Sequence, residues 1–156
     1  MLINSQTKVV ILTGAGISAE SGIRTFRAAE GLWEEHRIED VATPEGWMRN
    51  PELVWDFYQG RRRQLLEVVP NPAHNALVTL EEHLEENLLL ITQNVDDLHA
   101  RAGSVNLIHM HGELCKLRCE SCGVVIEAME NQHLGDDFVD CSECVGGRLR
   151  PHIVWF

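Results

Sequence analysis

Positive charge is scarce in this 156-residue chain. Thirteen lysines and arginines stand against 24 acidic residues, for a formal net charge of −11. So acidic a chain has no phosphate-neutralising footprint, which argues against direct binding of nucleic acid. A basic protein surface would be attracted instead, chiefly through its association rate. Long hydrophobic runs are missing too, and none approaches the ~20 apolar residues of a membrane span. Val9–Leu12 is too short for a signal-peptide core, and Met1–Lys8 supplies no basic stretch ahead of it. Repeats and low-complexity tracts are absent. The expectation is a cytoplasmic protein of about one domain, with no membrane association and with reduced thiols. Five cysteines make an odd count. Cys115 is the one left over, and a half-buried free thiol is its simplest reading.

The remaining cysteines form two pairs, Cys119/Cys122 and Cys141/Cys144, each with a two-residue gap and with eighteen residues between the pairs. A two-residue gap lets a tight turn aim two sulfurs at one ion, and two such turns complete a tetrahedral zinc site. Four protein ligands leave no open position for water, so the expected zinc is structural.

Lys8–Thr13 is an apolar, β-branched run that ends directly in Gly14-Ala15-Gly16-Ile17-Ser18. A buried parallel strand enters a nucleotide-binding turn in this way. Glycines there let the backbone approach a pyrophosphate at a helix N-terminus. The full G-x-G-x-x-G is not present, since position 19 is Ala19, so a plain tight turn fits the glycines about as well. Residues 28–50 read as irregular or broken helix, punctuated by Gly31, Pro44 and Gly46. From Pro51, the spacing of Leu53, Val54, Phe57, Tyr58, Leu65 and Leu66 predicts an amphipathic helix. Pro70-Asn71-Pro72 leads to a second helix with Ala73, Ala76, Leu77, Leu80 and Leu84 on its apolar side. Glu81, Glu82, Glu85 and Glu86 read as its solvated face. Leu88–Thr92 and Val105–Ile108 are further strands, the first followed by Gln93-Asn94-Val95-Asp96 and the second by His109-Met110-His111. Between them Asp97–Ala102 forms a short helix capped by Gly103. Alternating strands and helices predict an α/β fold with a Rossmann-like parallel sheet. The expected organisation is a nucleotide-binding part over 1–114 with a helical insertion at 28–70, a small zinc-ribbon insertion over 115–150, and a return at 151–156.

Residues 14–27 (Gly-Ala-Gly-Ile-Ser-Ala-Glu-Ser-Gly-Ile-Arg-Thr-Phe-Arg), Thr92–Asp96, His109–Gly112 and the two cysteine knuckles together resemble the sirtuins, NAD-dependent protein-lysine deacylases. Thr43-Pro44 and Tyr58-Gln59-Gly60-Arg61 look like the desuccinylase/demalonylase branch, of bacterial CobB type. The resemblance implies NAD and zinc as cofactors and acylated lysine side chains of proteins as partners. NAD would lie across Gly14, Ala15, Gly16, Ile17, Ser18 and Ala19, covered by Phe26 and Arg27, with Trp33 and Val95 in the same site. Gln93, Asn94 and Asp96 would reach its ribose and nicotinamide ends. His111 would be the general base, a task suited to an imidazole. His109, two residues away on one strand, faces the same way, so alternation does not separate the two. Only the His-Gly resemblance favours His111. His36, His74, His83, His99, His133 and His152 read as packed or surface histidines.

Tyr58 and Arg61 are i, i+3 on one helix and suit a carboxylate at the end of the acyl chain. Ala42 would leave room for that chain. The rival reading takes Arg61-Arg62-Arg63 as a solvent-facing basic run. The resemblance also implies a peptide-clamping strand starting near Val154, and further sheet strands beyond Phe156 that hold the adenine side of NAD. On that expectation the sheet's second half is missing from this sequence, and an ordinary deacetylase or a non-catalytic zinc module are the rival functions.

Overall fold

The structure, a computed structural model, describes residues 4, 6–24, 32–33, 36–128 and 137–156. Along the chain come β1 (Val9–Thr13), a 3-10 helix (Ala15–Ser21), β2 (Leu32–Trp33) and β3 (His36–Arg37). Three helices follow, α1 (Ile38–Val41), α2 (Pro44–Arg49) and α3 (Pro51–Leu65), and then α4 (Pro72–Leu84). After β4 (Leu88–Thr92), α5 (Leu98–Ala102) and β5 (Leu107–His109), the chain ends in β6 (Gly112–Cys119), β7 (Val125–Glu127) and β8 (Leu149–Ile153). It divides into two compact units, one from Met1–Thr25 with Val68–His111, the other from Phe26–Glu67 with Gly112–Phe156.

The first unit is built on a parallel sheet of order β1-β4-β5. Val9 to Thr13 pair in register with Leu88 to Thr92, and Thr92 pairs with His109. Leu84, Leu88 and Leu90 form its core, with Val9, Ile11, Leu77, Leu80 and Leu107 packed against them. The expected buried strand is only half right for β1. It alternates, with Val10 67% and Leu12 60% exposed, so the sheet face they share with half-buried Leu89 and Ile91 is apolar and only partly covered among the described residues.

Helix α4 packs Leu77, Leu80 and Leu84 on this core as expected, but its buried stripe is wider than the apolar side. His74, Glu81 and Leu84 are its buried residues, while Ala73 and Ala76 are exposed. Asn71 caps it, accepting from the backbone N–H of Ala73 and His74, while His74 Nδ1 accepts from Asn71 N–H. This reciprocal box satisfies orphan donors of the first turn. Glu81 is buried because its carboxylate accepts from the N–H of Val105 and Asn106, tying down the loop before β5.

The second unit joins α1–α3 to an antiparallel sheet of order β7-β6-β8. Thr43 caps α2 and Asn50 caps α3, each followed by proline at the first helical position. Trp55, Tyr58, Gln59 and Arg62 face inward and are fully buried. Arg62 belongs to the run read as solvent-facing, yet its Nε donates to Leu114 C=O at 2.7 Å and its Nη1 donates to Gln59. Burial, opposed by the charges of Cys115 and Tyr58, lowers its pKa to about 10.

Candidate functional site

In the first unit the carboxyl ends of all three parallel strands run into polar segments, where open α/β sheets place their ligands. The Gly14 turn follows β1, Gln93–Asp96 follow β4, and Met110-His111 follow β5. Two backbone bonds tie these ends together, Gln93 N–H to Thr13 C=O and Met110 N–H to Thr92 C=O, both 2.9 Å. Gly14 adopts an extended backbone, so it is not there for a left-handed conformation. A Cβ at Gly16 would meet nothing within 4 Å, which leaves open space over the turn. Ala15, Gly16 and Ala19 are exposed, Gly14 and Ile17 half-buried and Ser18 fully buried.

Ser18 links the turn to the segment after β4. Its hydroxyl donates to Asp96 Oδ2 at 2.9 Å and accepts from Asn94 Nδ2 at 3.0 Å. Asp96 uses its other oxygen to accept from Leu98 N–H, which starts α5. Asn94 is buried, Gln93 is exposed and Val95 half-buried. Asn71 reaches the far end of the turn helix, donating to Ile17 C=O at 2.7 Å and to Ser21 Oγ at 3.0 Å.

His111 Nδ1 lies 3.1 Å from Gln93 C=O, and His109 Nδ1 lies 3.3 Å from Asn94 C=O. A carbonyl accepts only, so Nδ1 carries the proton in both rings and Nε2 is the basic nitrogen. Beneath them sits a layer the sequence reading assigned no task. His99 shares a 2.9 Å hydrogen bond with Thr13 and packs edge-on against His74 at 4.8 Å. Burial, with His74 and His109 adding repulsion, pushes the His99 pKa down to about 4, and burial lowers His74 too. Their burial next to polar strand ends could not be read from two isolated histidines.

Phe26 and Arg27 lie outside the described residues. Trp33 lies in β2.

In the second unit the four cysteine sulfurs all lie within 4.8 Å of one another. N–H groups of Ser121 and Cys122 donate to Cys119 Sγ, and Glu143 N–H donates to Cys141 Sγ. The Cys122 N–H leads in pulling the Cys119 pKa down to about 6. Hydrogen bonding to Cys119 and Cys122, with burial, raises Cys144 to about 12. Four thiols this close cannot all ionise without a cation among them, and four sulfurs at tetrahedral reach suit zinc. Gly147 makes room, because a Cβ there would stand 2.5 Å from Cys144 Sγ and 2.6 Å from Cys119 Sγ. Cys115 is separate and half-buried.

Tyr58 and Arg61 also belong to this unit. Tyr58 is fully buried, its hydroxyl accepts from Trp155 Nε1 at 3.0 Å, and burial pushes its pKa up to about 12. Arg61 is 8% exposed and lines a cavity of about 400 Å³ with His36, Asp56, Phe57, Gly60 and Gln64. Ala42 is half-buried at the end of α1, and Val154 is 47% exposed. Among the described residues no helix is long and apolar enough to cross a membrane.

The Sir2 family model matches residues 14–156. An NAD-dependent protein deacylase of Salmonella typhimurium is 59% identical over 151 residues, covering 96% of this chain and 55% of that protein. One from Yersinia pestis is 60% identical over 150 residues, covering 95% and 53%. The chain thus spans about half the length of the curated relatives it matches. Among solved structures, a Sir2 homolog–NAD complex superposes with TM-score 0.82 at 45% identity, over 97% of this chain and 59% of that one. A Sir2 bound to acetylated peptide gives TM-score 0.74 at 31% identity, over 97% and 59%. With its strand-end turn, its histidine pair and its cysteine cluster all inside the matched range, the chain belongs to the Sir2 family.

Proposed function

We propose that the chain carries the catalytic and nicotinamide-side residues of an NAD-dependent protein-lysine deacylase acting in a reducing cytoplasm, with one structural zinc. The observation that carries this reading is the Ser18–Asn94–Asp96 network, which locks the turn after β1 to the polar segment after β4. Gly14–Ala19 would hold the phosphate side of the cofactor, because their backbone is exposed and Gly16 leaves space above it. Gln93, Asn94, Val95 and Asp96 would hold its ribose and nicotinamide end, with Phe26, Arg27 and Trp33 assigned to the same site by resemblance. Bound NAD would supply an electrophilic ribose carbon to the acyl oxygen of an acyl-lysine, with nicotinamide as the leaving group and one water consumed, so that the products are free lysine and O-acyl-ADP-ribose.

His111 is the base in this reading. Gln93 C=O fixes the proton on Nδ1, leaving Nε2 to take a proton from a ribose hydroxyl. Asp96 accepts from Ser18 and from Leu98 N–H, and it orients Asn94 through Ser18. Cys119, Cys122, Cys141 and Cys144 would bind zinc and hold the β6–β8 region together.

For the acyl group, Arg61 on its cavity supports an acidic-acyl preference, with Ala42 and Val154 on the substrate side. The Tyr58 hydroxyl, buried and already engaged by Trp155, favours a plain deacetylase instead. Mass-spectrometric turnover of succinyl-lysine and acetyl-lysine peptides, with and without NAD, tests both. Turnover that requires NAD and is lost in His111→Ala is expected. Acyl loss without NAD, or undiminished turnover in His111→Ala, would overturn the assignment.

A further inference from the structure

The second unit carries a cation pair that the deacylase reading does not use. In the β6–β8 register Arg118 stands directly opposite Arg150. Side chains facing each other across antiparallel strands lie about 5 Å apart at Cβ, and like charges there destabilise the sheet. Leu117, Cys119, Leu149, Pro151 and Ile153 fill the buried face, so both arginines belong to the outer face. Arg118 is exposed and Arg150 half-buried.

The acids of that face are already taken. Glu113 and Glu127 both hold Lys116, at 2.8 and 3.7 Å. Glu120 holds Arg148 at 3.0 Å and accepts from Trp47 Nε1 at 2.7 Å. Among the described residues no carboxylate lies within ion-pair distance of Arg118 or Arg150. In a chain of net charge −11, two facing arginines with no direct ion pair among the described residues are out of keeping with the rest of the sequence.

Arg150 is also held in place. Its Nη1 donates to the C=O of Pro151 and Ile153 at 3.0 and 3.2 Å, and its guanidinium lies 4.6 Å from the Trp155 ring centroid. A fixed guanidinium loses little entropy when it meets a carboxylate fork. Burial first, and then the charge of Arg118, disfavour the ionised form of Arg150, with Glu120 and Tyr58 opposing them.

We propose that this outer face, at the Arg118–Arg150 pair, docks a short acidic segment of a partner protein. The inference goes beyond the deacylase reading and does not depend on it. Length follows from charge. At physiological salt the screening length is about 8 Å, so two or three carboxylates would feel the pair, while a long polyanion would meet the chain's overall negative charge. That argues against nucleic acid and against a second copy of the same chain.

The test uses the zinc-loaded full chain and a fluorescein-labelled Glu-Glu-Asp-Glu-Glu peptide, read by anisotropy. Salt-sensitive binding is expected, with at least tenfold loss in R118Q/R150Q, retention in R118K/R150K, and no change in Lys8→Gln. Trp155, beneath Arg150, should change its emission on addition of unlabelled peptide in wild type but not in R118Q/R150Q. If the double variant does not fold by circular dichroism, Arg118→Gln alone decides, since that side chain is exposed. Equal binding of the Gln-Gln-Asn-Gln-Gln peptide, or an equal loss in Lys8→Gln, would overturn the proposal. So would tighter binding of oligothymidylate, or self-association by sedimentation velocity that R118Q/R150Q abolishes.

Discussion

The hydroxyl of Ser18 donates to Asp96 at 2.9 Å, and neither side chain is more than 6% exposed. The turn after the first strand is thereby fastened to the segment after the second sheet strand in sequence. Ser18→Ala would leave Asn94 Nδ2 without its acceptor and Asp96 Oδ2 without its donor, both on buried residues. Such a loss costs about 1–3 kcal/mol. Urea unfolding of the first unit, followed by hydrogen exchange, should show it, and an unchanged midpoint would mean that water substitutes fully.

Gly147 is where the cysteine cluster tolerates no side chain. A methyl group would press on the sulfurs of Cys119 and Cys144. Gly147→Ala should weaken zinc at least tenfold in chelator competition, with no ligand removed. Retention of wild-type affinity would show that the cluster can open.

Acid should loosen the first unit through two buried histidines. His99, at about 4, and His74, also lowered, are held neutral in the fold, whereas the unfolded chain takes up these protons near 6.5. For His99, stability is therefore intact above pH 6.5 and is lost as pH falls from there toward about 4, at up to about 1.4 kcal/mol per pH unit, and His74 adds a loss of the same sign below 6.5. Exchange of the Leu88–Thr92 amides between pH 7.5 and 4.5 isolates this effect from the cysteines. His99→Asn should flatten the decline, and an equally steep one would assign it elsewhere.

Arg61→Met distinguishes the two acyl readings. If the arginine receives a carboxylate, KM for a succinyl-lysine peptide should rise at least tenfold while acetyl-lysine kinetics change little. An equal effect on both peptides would make Arg61 a packing residue, and no effect on either would return the preference to Tyr58 or remove it.

Local chemistry made part of this legible in the sequence. Leu88–Thr92, the proline-started Pro51 helix, and the helix ending at Gly103 stand where patterning put them, because apolar runs and caps act locally. The cysteine cluster was legible for the same reason. What was hidden depended on partners distant in sequence. Arg62 sits in a basic run and is buried only because Leu114 and Gln59 accept from it. Glu81 looked solvated and instead anchors Val105 and Asn106. Strand β8 carries Arg150, Pro151 and His152, and a register irregularity between Gly112 and Leu117 breaks the alternation of its partner, so neither advertised itself as a strand. Gly112, at φ +82° and backed against the His152 carbonyl, is the residue that lets β6 start there.

The chain enters each compact unit twice, and this sets a schedule for biosynthesis. Val9 finds its partner Leu88 only when roughly 80 further residues have been made, which takes ~4–16 s at 5–20 residues per second. Until then the first strand has no hydrogen-bonding neighbour, and its Val10 and Leu12 stay uncovered even afterwards among the described residues. A nascent chain of this design presents Val10 and Leu12 to a chaperone well before its cysteine knuckles emerge.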